Sequence, residues 1–281
     1  MHTHLSDGLR SPAEMVREAA SLGLSRIAIT DHDCIDAHLD PSLKEIARAE
    51  KVALVTGVEI DCTLGDLHVE ILGFEFAPEA GPLAARLAAI QAARVERIRI
   101  LTERLIERGE PLDSEQVLPP GTKAPLKVHL YRALLQAGRA LPGGYAEFKA
   151  LIASLGPVAS IPVPSAAEAA AWISQAGGYA LLAHPLYYLR AYPAPRLAAA
   201  VRAAGCVGME FLYPYDFAAD GIPTAQARAG LNDLRAAARA EFSGSPHFSA
   251  GTDVHDPAEW TARLLCVQRW RREFPRSASP C

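Results

Sequence analysis

The sequence predicts an α/β fold whose two parts are separated by a helical insertion. Short apolar segments that end in polar residues alternate with helical segments in residues 1–80 and again in residues 161–281. This alternation is typical of βα units in a mostly parallel sheet. Residues 81–160 break it, since they carry helical periodicity, many arginines and several prolines and glycines. The chain has 281 residues, 50% of them hydrophobic, which is enough for one large domain with an insertion.

The first α/β part is predicted to contain two helices and three strands. Cap signals at Ser11 and Glu14 indicate a helix over residues 11–23, which Gly23 closes. The elements after it are a buried strand at 25–30, a helix at 41–50, and strands at 52–60 and 67–74.

The insertion and the second α/β part follow in order. Residues 81–109 have apolar side chains at helical spacing and predict one long helix, whereas residues 110–160 predict short helical runs. The elements of the second part are an alanine-rich helix at 166–178, a strand at 179–185, a helix at 195–205, a strand at 206–212, a helix at 226–241 and a strand at 246–255.

Composition and charge exclude several classes of protein. The net charge of −4 gives no basic surface for gripping long duplex nucleic acid. No stretch of about 18 uncharged apolar residues is present, and the N-terminus does not resemble a signal peptide, so no membrane partner is expected. The cysteines are dispersed without a CxxC pair, at Cys34, Cys62, Cys206, Cys266 and Cys281. This usage predicts reduced thiols and a cytoplasmic location, and it leaves the oligomeric state open.

Acid and histidine side chains recur where the predicted strands end. The motifs are His2-Thr3-His4-Leu5-Ser6-Asp7, Asp31-His32-Asp33, Glu59, His68 with Glu70, His184-Pro185, and Asp253-Val254-His255. Strand ends of (β/α) barrels share one face, so these side chains are expected to converge. Each motif alone could be a helix cap, a surface ion pair or a structural histidine. Together they would bury unpaired charge, which favours a site for two or three divalent ions of Mn, Fe or Zn.

Divalent ions bridged by a carboxylate are suited to phosphoester chemistry. One ion polarises the ester, and another lowers the pKa of a bound water towards about 7 and so supplies hydroxide. Positively charged groups would then bind the phosphate, and a solvated helix face is the alternative for each of them. The candidates are Arg94, Arg97, Lys127, His129, Arg132 and Arg190.

These motifs, in this order and over nearly the whole chain, resemble the PHP family (polymerase and histidinol phosphatase). The resemblance is strongest to family members that act on nucleoside 3′,5′-bisphosphates and short RNA ends. It implies a distorted (β/α)7 TIM-like barrel with a trinuclear metal site and a helical insertion that caps the substrate. Arg94-x-x-Arg97 and His129 resemble segments that line the phosphate pocket in those relatives.

The resemblance also implies roles for single residues. The implied ligands are Asp7, His32 and His255 for one ion, His2 with Asp253 for another, and His184 for a third, with Glu59 as the bridge between the last two. The residues expected to be catalytic are Asp253, His255, Glu59 and His32.

The opening motif departs from the family pattern H-x-H-[ST]-x-x-S-D-G. It fits if His2 is the second histidine of the pair, because Thr3, Ser6, Asp7 and Gly8 then all match. The first histidine would then lie upstream of Met1, which predicts a truncated chain or a misplaced start. The alternative makes His2 and His4 the pair, with a shorter loop.

Two later positions also depart from the pattern. Relatives carry a histidine directly before I-L-G, where this chain has Glu70, and His68 lies two residues earlier on the same face. Either could be the ligand. Relatives often have H-P-G-R-Y after the fifth strand, where this chain has His184-Pro185-Leu186-Tyr187-Tyr188, and Arg190 is the candidate replacement for the missing arginine.

The function predicted on this basis is metal-dependent hydrolysis of a phosphomonoester by metal-activated hydroxide. The substrate would be small and nucleotide-like, either a 3′,5′-bisphosphate nucleotide or a short oligonucleotide end. One alternative is a PHP-like binding module with an incomplete metal site, suggested by the missing histidine and by Glu70. Another is a C–N hydrolase of the amidohydrolase kind. The absence of a lysine at the end of any predicted strand argues against it.

Overall fold

Ten α-helices and seven strands make up the part of the chain described by the structure, a computed structural model covering residues 1–80, 82–217, 221–242 and 247–274. The strands are β1 (Arg26–Ala28), β2 (Ala53–Val55), β3 (Gly57–Leu64), β4 (Leu67–Phe74), β5 (Tyr179–Leu182), β6 (Gly208–Leu212) and β7 (His247–Ala250). The helices are α1 (Pro12–Ser21), α2 (Asp36–Leu39), α3 (Pro41–Ala49), α4 (Leu83–Glu107), α5 (Lys127–Gln136), α6 (Gly144–Ser154), α7 (Ala166–Gln175), α8 (Ala194–Ala203), α9 (Thr224–Glu241) and α10 (Trp260–Glu273). Cys281 and residue 246, where the last strand was predicted to begin, lie outside the described residues.

The strands form two sheets. β1 and β2 are a parallel pair, and the other five strands form one sheet in the order β3-β4-β5-β6-β7. In the larger sheet β5, β6 and β7 are parallel, whereas β4 is antiparallel to both β3 and β5. An isolated bridge between His32 and Glu59 connects the segment after β1 to β3. The mixed α/β class is therefore confirmed, and a closed (β/α)7 barrel stays a prediction.

One strand departs from the expected mostly parallel sheet, because β3 and β4 form a hairpin. Leu64 pairs with Leu67, which leaves Gly65 and Asp66 as a two-residue turn. Gly65 has a φ of +60°, the left-handed conformation that such turns require. The hairpin turns β4 back along β3, so it becomes an antiparallel neighbour instead of the second strand of a βα unit.

The predicted strand at 52–60 is two strands that belong to different sheets. Thr56 lies between them, and its Oγ1 donates a hydrogen bond of 2.8 Å to the carbonyl oxygen of Phe76. At Gly57 a Cβ atom would lie 2.6 Å from the carbonyl oxygen of Ile29. The close approach of these two backbones lets the chain pass from one sheet to the other.

Three groups of buried apolar side chains hold the molecule together. The largest packs β3–β7 against α7, α8 and α9, and a second joins α1, β1 and α3. A third lies among the distal part of α4, α5 and α6. Helix α4 contributes to two of them, since Leu87 packs in the first and Leu101 in the third. The division of the chain at residues 80 and 160 stays a prediction.

Two helices were not foreseen from the sequence. Helix α2 is a single turn, and α10 buries Trp260 and Trp270 completely. None of the described helices combines the length and the apolar character needed to cross a membrane.

Candidate metal centre

Acid and histidine side chains from six segments meet in one place. They come from the N-terminal segment, the loop after β1, β3, β4, the loop after β5 and the loop after β7. Four overlapping groups each bring their ligand atoms within 4.8 Å of one another: His2, Asp7, His32 and His255; His2, Glu59 and Asp253; His32, Asp61 and Glu70; and Glu59, Glu70 and His184. The predicted convergence is thus present, and the role of each side chain as a metal ligand stays a prediction.

The N-terminal segment is held in place by Asp31. This buried carboxylate accepts hydrogen bonds from the Thr3 backbone N (2.6 Å), Thr3 Oγ1 (2.7 Å) and Ser6 Oγ (2.6 Å). The backbone N of His2 also donates to the carbonyl oxygen of Val254 over 3.0 Å. The first residues therefore connect the loop after β1 with the loop after β7 and bring His2 to the centre.

His2 is fully buried among acids and other imidazoles. Its Nε2 lies 2.9 Å from Asp253 Oδ1 and 3.1 Å from Glu59 Oε2, and its ring stacks on His255 and His32 at centroid distances of 4.2 and 4.6 Å. Burial disfavours the imidazolium, but the hydrogen bonds to Asp253 and Glu59 outweigh it and raise the pKa of His2 to about 9. An environment that holds a positive charge this firmly is also suited to a cation.

Orphaned imidazole nitrogens show that the donor set fits metal ions. The Nδ1 atoms of His2 and His32 are buried without a hydrogen-bond partner among the described residues. Buried polar atoms are nearly always satisfied in folded proteins, so two orphans in one cluster need an explanation. Neutral imidazole nitrogens beside carboxylate oxygens form the usual coordination shell of Mn, Fe and Zn.

Glu59 lies between two groups of the cluster. Its Oε2 faces His2 Nε2 at 3.1 Å, and its Oε1 faces His184 Nε2 at 3.4 Å. Burial raises the pKa of this carboxyl, but the hydrogen bonds with His184 and His2 are stronger and hold it well below its usual range. An ionised carboxylate with one oxygen on each side has the geometry of a bridging ligand.

Glu70, and not His68, reaches the cluster. Glu70 Oε2 lies 2.6 Å from His184 Nε2, and Oε1 lies 3.9 Å from His32 Nδ1. His68 is exposed on the same strand and belongs to none of the four groups. Of the two alternatives left open by the sequence, the geometry favours Glu70.

His4 does not join the cluster, and its assignment as a metal ligand stays a prediction that the geometry does not support. Two histidines at i and i+2 point the same way only in extended chain. Here the chain turns after Thr3, whose carbonyl oxygen accepts hydrogen bonds from the backbone N of Ser6 (3.1 Å) and Gly8 (2.9 Å). The His4 ring instead faces the carbonyl oxygen of Arg10, 3.4 Å from its Nδ1.

Asp61 and Glu210 are site residues that sequence reasoning missed. Asp61 Oδ1 lies 3.5 Å from His32 Nδ1. It stands two residues after Glu59 in β3, so strand periodicity could have found it. Glu210 Oε2 accepts a hydrogen bond of 3.1 Å from the backbone N of His184, and burial raises the pKa of Glu210 to about 7. The sequence feature that could have identified Glu210 is that it is the only charged residue in the otherwise apolar strand β6.

Backbone strain is concentrated at the same place. Asp33, His184 and Asp253 have φ values of 47°, 28° and 45°. Each such residue costs about 1–3 kcal/mol, and functional sites are where this strain is usually tolerated. The left-handed turns at His184 and Asp253 direct the chain sharply away from β5 and β7 and leave both side chains at the centre.

A cavity of about 780 Å³ opens beside the cluster and is lined by Asp7, Asp61, Glu70 and His184 among others. Arg97 and Lys127, from α4 and α5, also line it. The Nε of Arg97 is buried and has no hydrogen-bond partner among the described residues. Burial and the nearby Arg97 lower the pKa of Lys127. The cavity is therefore suited to an anionic ligand next to the acid and histidine cluster.

The other predicted phosphate-binding residues have different surroundings. Arg94 is buried against two carboxylates, with its Nε 2.9 Å from Asp33 Oδ2 and its Nη2 bonded to Asp61. Its guanidinium therefore already has partners within the protein.

The remaining three candidates are His129 and Arg132, which lie in α5, and Arg190, which follows β5. His129 Nδ1 is 3.0 Å from the carbonyl oxygen of Leu126, while its Nε2 is buried without a partner among the described residues. Arg132 donates to the carbonyl oxygen of Asp7 over 2.7 Å. Arg190 is exposed and is not among the residues that line the cavity, and its assignment to phosphate binding stays a prediction.

The chain is similar to several known proteins. A family model described as PHP domain matches residues 1–116. A 5′-3′ exoribonuclease of Haemophilus influenzae is 32% identical over 268 residues, which cover 92% of this chain and 89% of the relative. A 3′,5′-nucleoside bisphosphate phosphatase of Chromobacterium violaceum is 27% identical, with 92% and 86% covered. A candidate metal-dependent phosphoesterase from Bifidobacterium adolescentis is similar in its crystal structure. The two structures align over 95% of this chain and 94% of the other, with a TM-score of 0.70 and 24% identity, which shows a shared fold.

Proposed function

The chain belongs to the PHP family of metal-dependent phosphoesterases, and from this premise we propose that it hydrolyses a phosphomonoester of a nucleotide-like substrate. The substrate would be a nucleoside 3′,5′-bisphosphate or the end of a short oligonucleotide. The observation that carries this proposal is the cavity beside the acid and histidine cluster. It is lined by Arg97, whose Nε has no hydrogen-bond partner among the described residues. The names of the relatives from H. influenzae and C. violaceum support the same substrate class.

Two or three divalent ions would be held by the four groups of the cluster. Glu59 would bridge the ion beside His2 and Asp253 and the ion beside Glu70 and His184. The third position would be formed by Asp7, His32 and His255. When bound, such ions polarise the phosphoester and lower the pKa of an attacking water.

The residues of the chain itself would orient the ligands and bind the substrate. Tyr213 donates a hydrogen bond of 2.7 Å to Asp253 Oδ2, which fixes the carboxylate and leaves Oδ1 facing His2. Hydrogen bonds of this kind usually fix the orientation of metal ligands. Arg97 and Lys127 would bind the phosphoryl oxygens, because both are cationic and line the cavity.

The four residues expected to be catalytic all lie among the ligand groups. We therefore assign Asp253, His255, Glu59 and His32 to holding the ions rather than to transferring protons. The amidohydrolase alternative is disfavoured, since none of the five lysines lies at the carboxyl end of a described strand. Membership in a family of phosphoesterases likewise argues against a non-catalytic binding module.

The test is the variant Asp253→Asn, assayed with adenosine 3′,5′-bisphosphate and Mn²⁺. We expect turnover to fall by more than about 100-fold, since losing a residue that only orients a ligand already costs 10–100-fold. Metal content, measured by mass spectrometry, should fall as well, while circular dichroism stays that of the wild type. Asp66→Asn, in the exposed turn between β3 and β4, is the matched control and should keep its activity. Wild-type turnover by Asp253→Asn would contradict the assignment.

A further inference from the structure

The cavity beside the metal centre contains exposed apolar side chains that packing does not explain. Tyr187, Tyr145 and Val163 all line it, and their side chains are 46%, 42% and 39% exposed. Single exposed apolar residues are common on protein surfaces, but several in one cavity next to a charged centre mark a binding surface. Part of the ligand that enters this cavity is therefore apolar or aromatic.

Tyr187 is held rigidly next to the centre. Its ring centroid lies 5.6 Å from that of His184. It also packs edge to face against Tyr213 at 5.9 Å and 84°, and against Tyr215 at 5.7 Å and 71°. Tyr213 and Tyr215 are buried, so they fix the position of a ring that is itself nearly half exposed. A ring that is fixed before binding loses little entropy when a ligand covers it.

We propose that Tyr187 is the platform on which the nucleobase of the substrate stacks. The proposal rests on the proposed function, because it names the part of the cavity that takes the base. Stacking of a base on an aromatic side chain is sequence-tolerant and contributes a tenfold or larger gain in affinity.

The phosphate and the base of a nucleotide would meet side chains from different segments of the chain. The cationic residues Arg97 and Lys127 come from α4 and α5, whereas Tyr187 follows β5. Tyr187 contacts His184 but offers no ligand atom to the cluster. A phosphate bound at the metal centre would thus leave the sugar and base to extend past His184, over the exposed ring.

Tyr145 is the competing platform, and its contacts are of another kind. It lies in α6 and packs against Tyr131 at 5.2 Å and Phe148 at 5.3 Å. Both partners belong to the apolar cluster of α4, α5 and α6. These contacts indicate that Tyr145 packs against the apolar cluster of α4, α5 and α6, while Tyr187 stands beside the centre itself.

The test compares two ligands that share a phosphate and differ in the base. The non-hydrolysable phosphonate analogues of AMP and ribose 5-phosphate are titrated calorimetrically into the full chain supplied with Mn²⁺. The wild type should bind the AMP analogue at least about tenfold more tightly than the ribose analogue. Tyr187→Leu should reduce this ratio by about tenfold, whereas Tyr187→Phe, which keeps the ring, should retain it. Leu265→Ala, which alters a 59% exposed side chain on α10, is the control and should leave the ratio unchanged.

The outcomes separate this proposal from the proposed function. An unchanged ratio in Tyr187→Leu overturns the platform, and so does an equal loss in Tyr145→Leu. Turnover of adenosine 3′,5′-bisphosphate by the wild type is measured separately. If the affinity ratio depends on Tyr187 but the wild type does not hydrolyse the bisphosphate, the platform is supported and the proposed function is contradicted. If the wild type hydrolyses the bisphosphate but Tyr187→Leu leaves the affinity ratio unchanged, only the platform is overturned.

Discussion

Arg97 and Arg94 show how neighbouring cations of one helix take different roles. Arg94 is buried with Asp33 and Asp61 as partners, so its charge is already balanced within the protein. Arg97, one turn later in α4, lines the cavity with a buried Nε that has no partner among the described residues. A buried Nε that lacks a hydrogen-bond partner is unfavourable, which makes Arg97 the better candidate to bind an anion.

Replacing Arg97 by alanine should weaken substrate binding without removing metal. We expect KM for adenosine 3′,5′-bisphosphate to rise by about tenfold or more, since hydrogen bonds to charged groups contribute about 1.5–3 kcal/mol. Metal content should stay that of the wild type. The matched control is Arg99→Ala on the same helix, because Arg99 is exposed and paired with Glu96. Loss of metal from Arg97→Ala would show that this residue supports the centre instead.

At the level of single residues, strand patterns identified only part of the site. Glu59 was expected at the end of a strand at 52–60, but it is the third residue of β3, and Asp61 on the same face of that strand was missed. His4 lies in a turn, where the i, i+2 rule for strands does not apply. The choice between His68 and Glu70 could not be made from local sequence, because it depends on where His184 arrives from a distant strand.

At the level of elements, the strong helical and strand patterns were predicted closely, and the strand pairing was not. β4 spans Leu67–Phe74, as predicted, and the capping box of Ser11 and Glu14 begins α1. The hairpin of β3 and β4 has a local signal, the Gly65-Asp66 turn, but the predicted strand at 52–60 ended before it. The change of sheet at Thr56 depends on a long-range contact, the hydrogen bond from Thr56 to Phe76.

The ion pairs of Arg94 connect α4 to the sheet and to the loop after β1. We expect Arg94→Met to lower the free energy of unfolding by about 3–5 kcal/mol, because it leaves the buried carboxylate of Asp33 without its cation. Urea denaturation measures this effect. Arg99→Met, on the exposed face of α4, should change stability by less than about 1 kcal/mol.

A second substitution distinguishes loss of the ion pair from loss of packing. Asp33→Asn in the Arg94→Met background removes the more buried of the two carboxylates. The side chain of Asp33 is 1% exposed, and that of Asp61 is 34% exposed. It should recover part of the lost stability. No recovery in the double variant would mean that the aliphatic stem of Arg94, and not its charge, stabilises the contact.

On the scale of the whole molecule, the metal centre joins parts of the chain that are far apart in sequence. His2 and Asp253 are 251 residues apart, and their side chains approach to 2.9 Å. The cluster also connects the two sheets through the bridge between His32 and Glu59. Ions held there would add to the hydrogen bonds that already connect these segments.

Removing the ions should therefore destabilise the whole fold and not only the site. An ion that binds the folded state alone stabilises it by about 2.7 kcal/mol at 100 times its Kd. For a chain of this size that corresponds to a fall in Tm of about 5 °C or more on chelation, and Mn²⁺ or Zn²⁺ should restore it. Calorimetry with and without chelator measures the shift, and mass spectrometry should find two or three ions per chain. The shift should be smaller in Asp253→Asn, which lacks one carboxylate of the cluster, and equal to that of the wild type in Asp66→Asn. A Tm that is independent of chelator in the wild type would contradict a structural contribution of the centre, whatever its activity.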